Sequence, residues 1–280
     1  MRKNKGSYLA YPYIVWSALF IVVPLILILF FSFTVKENGQ YIFSLENYNR
    51  LIDPIYSKVF LRSIWLALVS TVICLVLGYP VAYIISKIKL SRRNTVIMLF
   101  ILPMWMNFLL RTYAWAAILG RNGLLNTFLT TIGLEPINIM YTNTAVLLGM
   151  VYNFLPFMVL PIYTVLIKID QDLINAAKDL GASSFQVFTK VIFPLSLPGV
   201  ASGITMVFMP AVSTFVISRL LGGGQYMLIG NLIEQQFMSV GDWNFGSAVS
   251  IFMMIMILIS MAFMSKFDGD SNKEGGGLLF

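Results

Sequence analysis

The sequence contains no histidine and one cysteine, Cys74, and only 11% of its residues are charged. A single cysteine excludes a disulfide within the chain and a cysteine-based metal cluster. The lack of histidine removes the commonest metal ligand and the usual acid–base group at neutral pH. A soluble domain carries about 25% charged residues, so an ordinary soluble domain is excluded as well. We expect no catalytic residue and no metal site on this chain.

A nucleotide-binding phosphate loop is also missing. That loop needs the pattern Gly-x4-Gly-Lys-Ser/Thr, whereas Gly222, Gly223 and Gly224 are followed by Gln225 and Tyr226. The chain is therefore not expected to bind ATP in the usual way, and we predict no cofactor for it. If it takes part in active transport, a separate ATPase must bind ATP and Mg²⁺.

Apolar residues, by contrast, make up 58% of the chain, and the mean hydropathy is +0.82. They fall in runs long enough to cross a bilayer, which takes roughly 20 helical residues. Because the bilayer core holds no water, each run must satisfy its backbone hydrogen bonds as a helix. We predict an all-α membrane protein with six transmembrane helices, at 14–33, 59–85, 96–119, 145–167, 198–217 and 245–264.

The distribution of lysine and arginine predicts the orientation, because these residues concentrate in cytoplasmic segments. With both termini in the cytoplasm, that side holds twelve of them: Arg2, Lys3, Lys5, Lys87, Lys89, Arg92, Arg93, Lys168, Lys178, Lys190, Lys266 and Lys273. The opposite side holds five: Lys36, Arg50, Lys58, Arg121 and Arg219. We therefore predict cytoplasmic termini. No small-residue cleavage site follows the run at 14–33, so we also predict an uncleaved first anchor helix. The net charge of +7 then reflects membrane topology and not nucleic-acid binding.

The segment between the fourth and fifth predicted spans, at 170–198, contains helix start and stop signals. Asp170 is suited to begin a helix, and Gly181 is suited to end it in the left-handed conformation. Ser183 or Ser184 can then begin a second helix. We predict a helix, a glycine turn and a second helix on the cytoplasmic side. Composition alone favours a helix lying on the membrane surface, without a binding partner.

The same segment resembles the cytoplasmic loop signature of permeases from binding-protein-dependent ABC importers. That signature is Glu-Ala-Ala, three residues, Gly, nine residues, Ile-x-Leu-Pro. Here Asn175-Ala176-Ala177, Gly181 and the sequence VIFP at 191–194 match in spacing, with asparagine in place of glutamate and phenylalanine in place of leucine. The resemblance implies that residues 170–198 are a coupling loop that binds an ATPase. Asn175 replaces the glutamate of the family signature. This leaves open whether the polar contact of that glutamate with the ATPase is kept.

Further segments resemble the B-type permease of spermidine/putrescine importers. They are LENY at 45–48, DP at 53–54, VLGYP at 76–80, LPMW at 102–105, RTY at 111–113, LPFM at 155–158, AAKDLGAS at 176–183, MPA at 209–211, LIGN at 228–231 and DWNFG at 242–246. The resemblance implies a type I ABC importer permease fold in a bacterial inner membrane. It implies three regions: an anchor helix and first external loop at 1–58, the permease core at 59–267, and a flexible cytoplasmic tail at 268–280.

The resemblance also implies the partners and the coupling residues. The partners are a second homologous permease, an ATPase dimer that binds ATP and Mg²⁺, an extracytoplasmic polyamine-binding protein and the lipid bilayer, with no nucleic acid. The residues expected to contact the ATPase are Asn175, Ala176, Ala177, Asp179, Gly181, Ala182 and Ser183.

None of the six predicted spans contains Asp or Glu. Aromatic faces, amides and carbonyls attract a polycation more weakly than a buried carboxylate and release it more readily. Our candidates for the wall of the translocation path are Trp105, Asn107, Tyr113, Tyr152 and Asn153. For each aromatic residue, simple packing or a place in the interfacial belt is an equally good interpretation.

Three other charged residues are candidates for contacts outside the chain. On the external side, Glu234 and Asp242 are positioned to guide substrate or to meet the binding protein, although a solvated loop charge explains each equally well. Arg111 lies inside the third predicted span, where a charge costs about 2.5–3.5 kcal/mol on insertion scales. We expect it to serve a gate or a contact with another subunit, unless it only extends toward the interface.

Two alternatives to a polyamine importer stay open at this stage. The same permease class carries other solutes, such as sulfate, phosphonate, ferric iron or thiamine. A secondary carrier or a membrane scaffold is a different class. The loop signature and the lack of an ion-coupling acid in the spans both count against the second alternative.

Overall fold

The computed structural model describes residues 11–37 and 39–265, with side chains to residue 262. The predicted basic residues at both ends of the chain and the tail at 268–280 lie outside the described residues. The helices in the described part are, in chain order, α1 (Tyr11–Ser32), α2 (Glu46–Leu51), α3 (Pro54–Lys87), α4 (Leu90–Trp105), α5 (Phe108–Leu119), α6 (Leu124–Thr131), α7 (Asn143–Leu166), α8 (Gln171–Asp179), α9 (Ser184–Ser213), α10 (Val216–Leu221), α11 (Ile229–Gln235) and α12 (Trp243–Ser265). Strands β1 (Thr34–Glu37) and β2 (Gln40–Phe43) form an antiparallel hairpin after α1.

Five of these helices are long and apolar enough to cross a membrane: α1, α3, α7, α9 and α12. A sixth span results if α4 and the segment Phe108–Thr131 are counted together, although they are bent by 89°. Five of the six predicted spans are therefore present as single helices, and the third is present only as this bent pair. The first, second, fourth and sixth agree with their predicted positions to within a few residues.

The third span differs from the prediction of one continuous helix over 96–119. The helix stops at Trp105, Met106 is extended, and a new helix begins at Phe108. The Asn107 side chain accepts hydrogen bonds from the backbone N–H groups of Leu109 at 2.8 Å and Leu110 at 3.4 Å. An asparagine in this position stabilises a helix start, which is why the break falls there.

The fifth span was predicted at 198–217, but α9 begins at Ser184 and ends at Ser213. The second helix of the coupling loop and the fifth span are thus one helix. A π-helical turn at Phe188–Ile192 comes just before Pro194. The wider turn lets the helix continue past a residue that has no N–H to donate.

The chain divides into two units. In the unit formed by residues up to 59 and residues 232–256, the start of β1 is held by two asparagines. Asn244 Nδ2 donates to the Thr34 carbonyl at 2.7 Å, and Asn47 Nδ2 donates to the same carbonyl at 2.9 Å. These bonds satisfy a backbone group just after α1 ends, where the helix no longer does so.

The other unit contains residues 60–231 and has its core where α7 packs along α9. Met158 and Ile162 of α7 and Val207 and Ala211 of α9 are fully buried. Close approach is possible because Gly199 faces the α7 backbone: a Cβ there would lie 2.9 Å from the Pro161 carbonyl oxygen. This packing fixes the helix that continues into the coupling loop.

Candidate functional site

The coupling loop begins with α8, whose two ends are closed by local hydrogen bonds. Asp170 Oδ1 accepts from the Asp172 N–H at 3.0 Å. At the other end Gly181 has φ +82°, and the Ala182 N–H donates to the Ala177 carbonyl at 3.1 Å. A left-handed residue with this bond is the Schellman arrangement, which glycine adopts without steric cost.

The second helix begins at Ser183, one of the two serines predicted. Ser183 Oγ accepts from the Gln186 N–H at 3.3 Å, and Gln186 Oε1 accepts from the Ser183 N–H at 2.8 Å. These reciprocal bonds form a capping box that fixes the start of α9. The predicted helix, glycine turn and second helix are confirmed.

The outer surface of the loop is apolar as well as polar. Leu180 is 89% exposed and Phe185 is 74% exposed. The predicted coupling residues lie around them: Asn175, Ala176, Asp179, Gly181 and Ser183 are exposed, and Ala177 and Ala182 are half-buried. A cavity of about 380 Å³ lies against Ala177, Gly181 and Ala182. Exposed apolar side chains beside a concavity are typical of a protein-binding surface. Phe185 was not among the predicted coupling residues, although the sequence shows a large aromatic residue just inside a helix start.

A group of aromatic residues connects the coupling loop to α3. The Tyr79 ring lies 5.9 Å from Phe188 and 5.7 Å from Phe193, between ring centroids. Its hydroxyl is 2.8 Å from Ser196 Oγ, a buried hydrogen bond. Tyr83, one turn later on α3, packs on Phe188 at 5.3 Å. The start of α9 is therefore in direct contact with the membrane-spanning helix α3.

The break between α4 and α5 exposes several of the candidate path residues. Trp105 is 80% exposed and Tyr113 is 56% exposed, and Asn107 between them is exposed while its oxygen begins α5. Trp105 and Asn107 are thus brought together at the break, and Tyr113 follows on α5.

The two candidates on α7 lie in different surroundings. Tyr152 is 37% exposed and packs edgewise on Trp115 of α5, with ring centroids 5.2 Å apart. Asn153 is 1% exposed, and its Nδ2 donates to the Gly149 carbonyl at 2.8 Å. Its Oδ1 is buried without a partner among the described residues. Trp115 was not among the predicted residues, although its position one turn after Arg111 places both on one side of α5.

Arg111 is 8% exposed on α5, next to Thr112, which is fully buried. Within the described part of the chain, its Nε and Nη1 are buried and have no hydrogen-bond acceptor. A buried guanidinium without acceptors is costly. The Arg111 side chain is thus buried within this chain. The alternative, that it simply extends toward the membrane interface, does not describe this position.

The two acidic residues that were predicted to be external lie in the unit that includes the hairpin. Glu234 is half-buried in the last turn of α11. Asp242 forms an ion pair with Arg50 at 2.9 Å and accepts from the Phe245 N–H at 3.0 Å. Asp242 thus has a role in the structure of the chain itself, whatever else it contacts.

The fold is that of a known class of transporter subunit. A crystal structure of a bacterial ABC transporter involved in the import of the acidic polysaccharide alginate matches with a TM-score of 0.80, covering 94% of both chains at 16% identity. A crystal structure of a bacterial alginate ABC transporter in complex with an alginate pentasaccharide-bound periplasmic protein matches with a TM-score of 0.71 at 17% identity, covering 94% of this chain and 93% of that one. At this identity the likeness concerns the fold, which is the type I ABC importer permease fold.

Sequence comparison gives the family. Residues 1–270 match the family described as "Binding-protein-dependent transport system inner membrane component", and the chain belongs to that family. It is 42% identical over 247 residues to the spermidine/putrescine transport system permease protein PotB of Escherichia coli strain K12, covering 86% of this chain and 90% of that protein. The PotB protein of Haemophilus influenzae is 40% identical over 249 residues, with 87% of each chain covered. The protein is accordingly a multi-pass inner membrane subunit of a transporter, and not an enzyme by itself.

Proposed function

We propose that this chain is one of two permease subunits of an ATP-driven importer of polyamines, of the spermidine and putrescine class. The observation that carries the proposal is the 42% identity to a spermidine/putrescine permease over 86% of the chain. A likeness of this extent covers the coupling loop, the broken third span and the external loops together. A different solute would need a different set of residues along the path.

The side chains available to line the translocation path support a polycation as the substrate. The described membrane-spanning helices contain no Asp or Glu. Trp105 and Tyr113 expose their aromatic faces near the break in the third span. Such faces attract ammonium groups without the tight binding of a buried carboxylate. The path is completed by the second permease, which covers these exposed side chains.

Energy comes from a separate ATPase dimer that binds ATP and Mg²⁺. Its contact with this chain is the coupling loop at 170–198, through Asn175, Ala176, Ala177, Asp179, Gly181, Ala182 and Ser183 together with the exposed Leu180 and Phe185. Closure of the ATPase dimer displaces α8 and the start of α9, and the Tyr79 contacts pass this movement to α3. An extracytoplasmic binding protein delivers the solute on the other side, where Glu234 and Asp242 lie.

The test is uptake by the complete complex in proteoliposomes. We expect labelled spermidine or putrescine to accumulate only when this chain, the second permease, the ATPase, the binding protein and ATP are all present. Sulfate, ferric iron and thiamine, presented with their own binding proteins, serve as controls. If one of these solutes stimulates ATP hydrolysis and a polyamine does not, the assignment of polyamines as the substrate is wrong. Uptake without ATP would show that the transporter is not an ATP-driven importer.

The position of the loop is tested separately. A single cysteine at Ser183, in a chain with Cys74→Ala, should react with a membrane-impermeant thiol reagent only from the cytoplasmic side. Reaction from the external side contradicts the topology and the coupling role together.

A further inference from the structure

A cavity of about 540 Å³ lies beside the coupling loop, and three cations line it. Lys87 is the last residue of α3, Arg93 lies in the first turn of α4, and Lys178 lies on α8. The described residues that line the cavity include neither Asp nor Glu. Like charges around one concave surface raise its affinity for an anion.

None of these three cations forms an ion pair within residues 11–37 and 39–265. The Nε of Arg93 is buried and has no hydrogen-bond acceptor in the same part of the chain. A buried donor on a charged group is costly to leave unbonded. The Nε–H group of Arg93 therefore lacks an acceptor, which an anion in the cavity would supply.

One cation is held in place by an aromatic ring, and a helix end adds to the positive field of the cavity. Lys87 Nζ lies 4.1 Å from the centroid of the Tyr83 ring, and that ring packs on Phe188. Ser184, at the start of the 30-residue helix α9, also lines the cavity. The amino end of a long helix carries a partial positive charge and adds to the field of the three cations. Lys87 therefore loses little freedom when an anion binds.

The donors match the oxygens of a phosphate group. A guanidinium and ammonium groups are the usual protein partners of phosphate, and they form short charge-assisted hydrogen bonds. The cavity lies where the apolar helices α3 and α7 end, and Leu166 and Ile167 form part of its wall. Helices that cross the hydrocarbon core end near the lipid headgroups, so a lipid phosphate is one source of the anion.

We propose that this cavity is a binding site for a phosphate group, carried by an anionic phospholipid of the adjacent leaflet or by soluble inorganic phosphate. An occupant would touch α8 and the start of α9 at once, so binding would restrict movement of the coupling loop. The site belongs to this chain alone, and its occupancy does not depend on which solute is transported.

The experiment measures protection of lysines in the full chain. The purified protein is kept in a maltoside detergent, which contains no phosphate, and treated with an amine-acetylating reagent. The acetylation rates of Lys87, Lys178 and Lys190 are followed by peptide mass spectrometry. Lys190 is exposed and does not line this cavity, so it serves as the reference. Phosphatidylglycerol or inorganic phosphate is then added in separate arms.

We expect Lys87 and Lys178 to be protected by about tenfold, the effect of one charged hydrogen bond, while Lys190 stays unchanged. Protection by phosphatidylglycerol alone assigns a lipid headgroup, and protection by inorganic phosphate alone assigns a soluble anion. If neither agent protects Lys87 and Lys178, or if all three lysines are protected equally, the site is refuted.

A matched pair of variants tests the role of Arg93. Arg93→Gln should weaken protection by about tenfold, whereas Arg92→Gln removes the same charge from the neighbouring exposed residue, which does not line the cavity, and should change it by about twofold or less. Equal losses would mean general attraction to a basic surface, which contradicts a defined site. If Arg93→Gln does not fold, Arg93→Lys keeps the charge but has no Nε–H, and it should still lose affinity.

Discussion

Arg50 and Asp242 are 192 residues apart in the sequence and form an ion pair with an Nη1–Oδ2 distance of 2.9 Å. The Arg50 guanidinium also lies 4.1 Å from the centroid of the Phe245 ring. Burial lowers the pKa of Arg50, but the hydrogen bonds and charges of Asp242 and Tyr56 outweigh burial and raise it above its ordinary value. The pair connects α2 to the residue just before α12, where Asp242 also accepts from the Phe245 N–H.

The two roles of Asp242 are separable by substitution. Its side chain is 27% exposed and that of Arg50 is 40% exposed, so the ion pair contributes at most about 1 kcal/mol. The hydrogen bond at the helix start contributes about another 1 kcal/mol. Asp242→Ala removes both and should lower the thermal unfolding midpoint of the detergent-solubilised chain more than Asp242→Asn, which keeps the helix-start bond.

Arg50→Gln is the control for that comparison. It removes the ion pair together with the contact to the Phe245 ring, so it should lower the midpoint at least as much as Asp242→Asn, and the double variant should be no less stable than Arg50→Gln alone. Equal midpoints for Asp242→Ala and Asp242→Asn would show that the helix-start bond contributes nothing.

Gly181 gives a second prediction, on coupling. A Cβ at this position would meet no atom within 4 Å, so the cost of another residue arises from φ +82° and not from a clash. A β-branched residue is strongly disfavoured in that conformation, whereas asparagine tolerates it. Gly181→Val should therefore reduce uptake per ATP hydrolysed in proteoliposomes severalfold, while the amount of inserted protein stays the same. Gly181→Asn should retain most of the coupling. Full coupling in Gly181→Val would exclude a mechanical role for the turn.

The coupling loop could be predicted because its signals are local. Asp170, Gly181 and Ser183 all bond to groups within five residues along the chain. Capping preferences express such short-range bonds directly in the sequence. The number of spans was predictable for a similar reason, since an apolar run long enough to cross the bilayer must be helical.

The break in the third span and the long-range contacts were not predicted. Residues 96–119 form one apolar run, and hydropathy does not distinguish a continuous helix from two helices at 89°. Asn107 was interpreted as a path residue when its type also suits a helix start. The bonds from Asn244 and Asn47 to the Thr34 carbonyl, and the pairing of Arg50 with Asp242, join distant segments. Nothing in the local sequence specifies such partners.

Gly199 gives a third prediction, on packing. Its Cβ would lie 2.9 Å from the Pro161 carbonyl oxygen and 3.0 Å from Ile162 Cα, and backbone atoms cannot move aside as side chains do. Gly199→Ala should separate α7 from α9 and cost about 1–3 kcal/mol, as overpacking does. The check is the thermal unfolding midpoint in detergent, with Ser202→Ala on the same helix as the control. A midpoint for Gly199→Ala equal to or above that of the unchanged chain would contradict the close helix contact.

Arg111 gives the last prediction. Its substitution should affect the stability of the isolated chain and the assembly of the complex in different ways. Its Nε and Nη1 have no acceptor among residues 11–37 and 39–265. Replacing an unpaired buried charge with an apolar side chain of similar length is often neutral or stabilising. Arg111→Met should therefore leave the unfolding midpoint of the isolated chain unchanged or raise it by a few degrees. In the assembled transporter, a carboxylate or carbonyl of the second permease would supply the missing acceptor. Arg111→Met should then lower the yield of the two-permease complex in co-purification, and Arg111→Lys should restore part of it. A large loss of stability in the isolated chain would mean that Arg111 is bonded within its own subunit and that its contact with a partner is not needed.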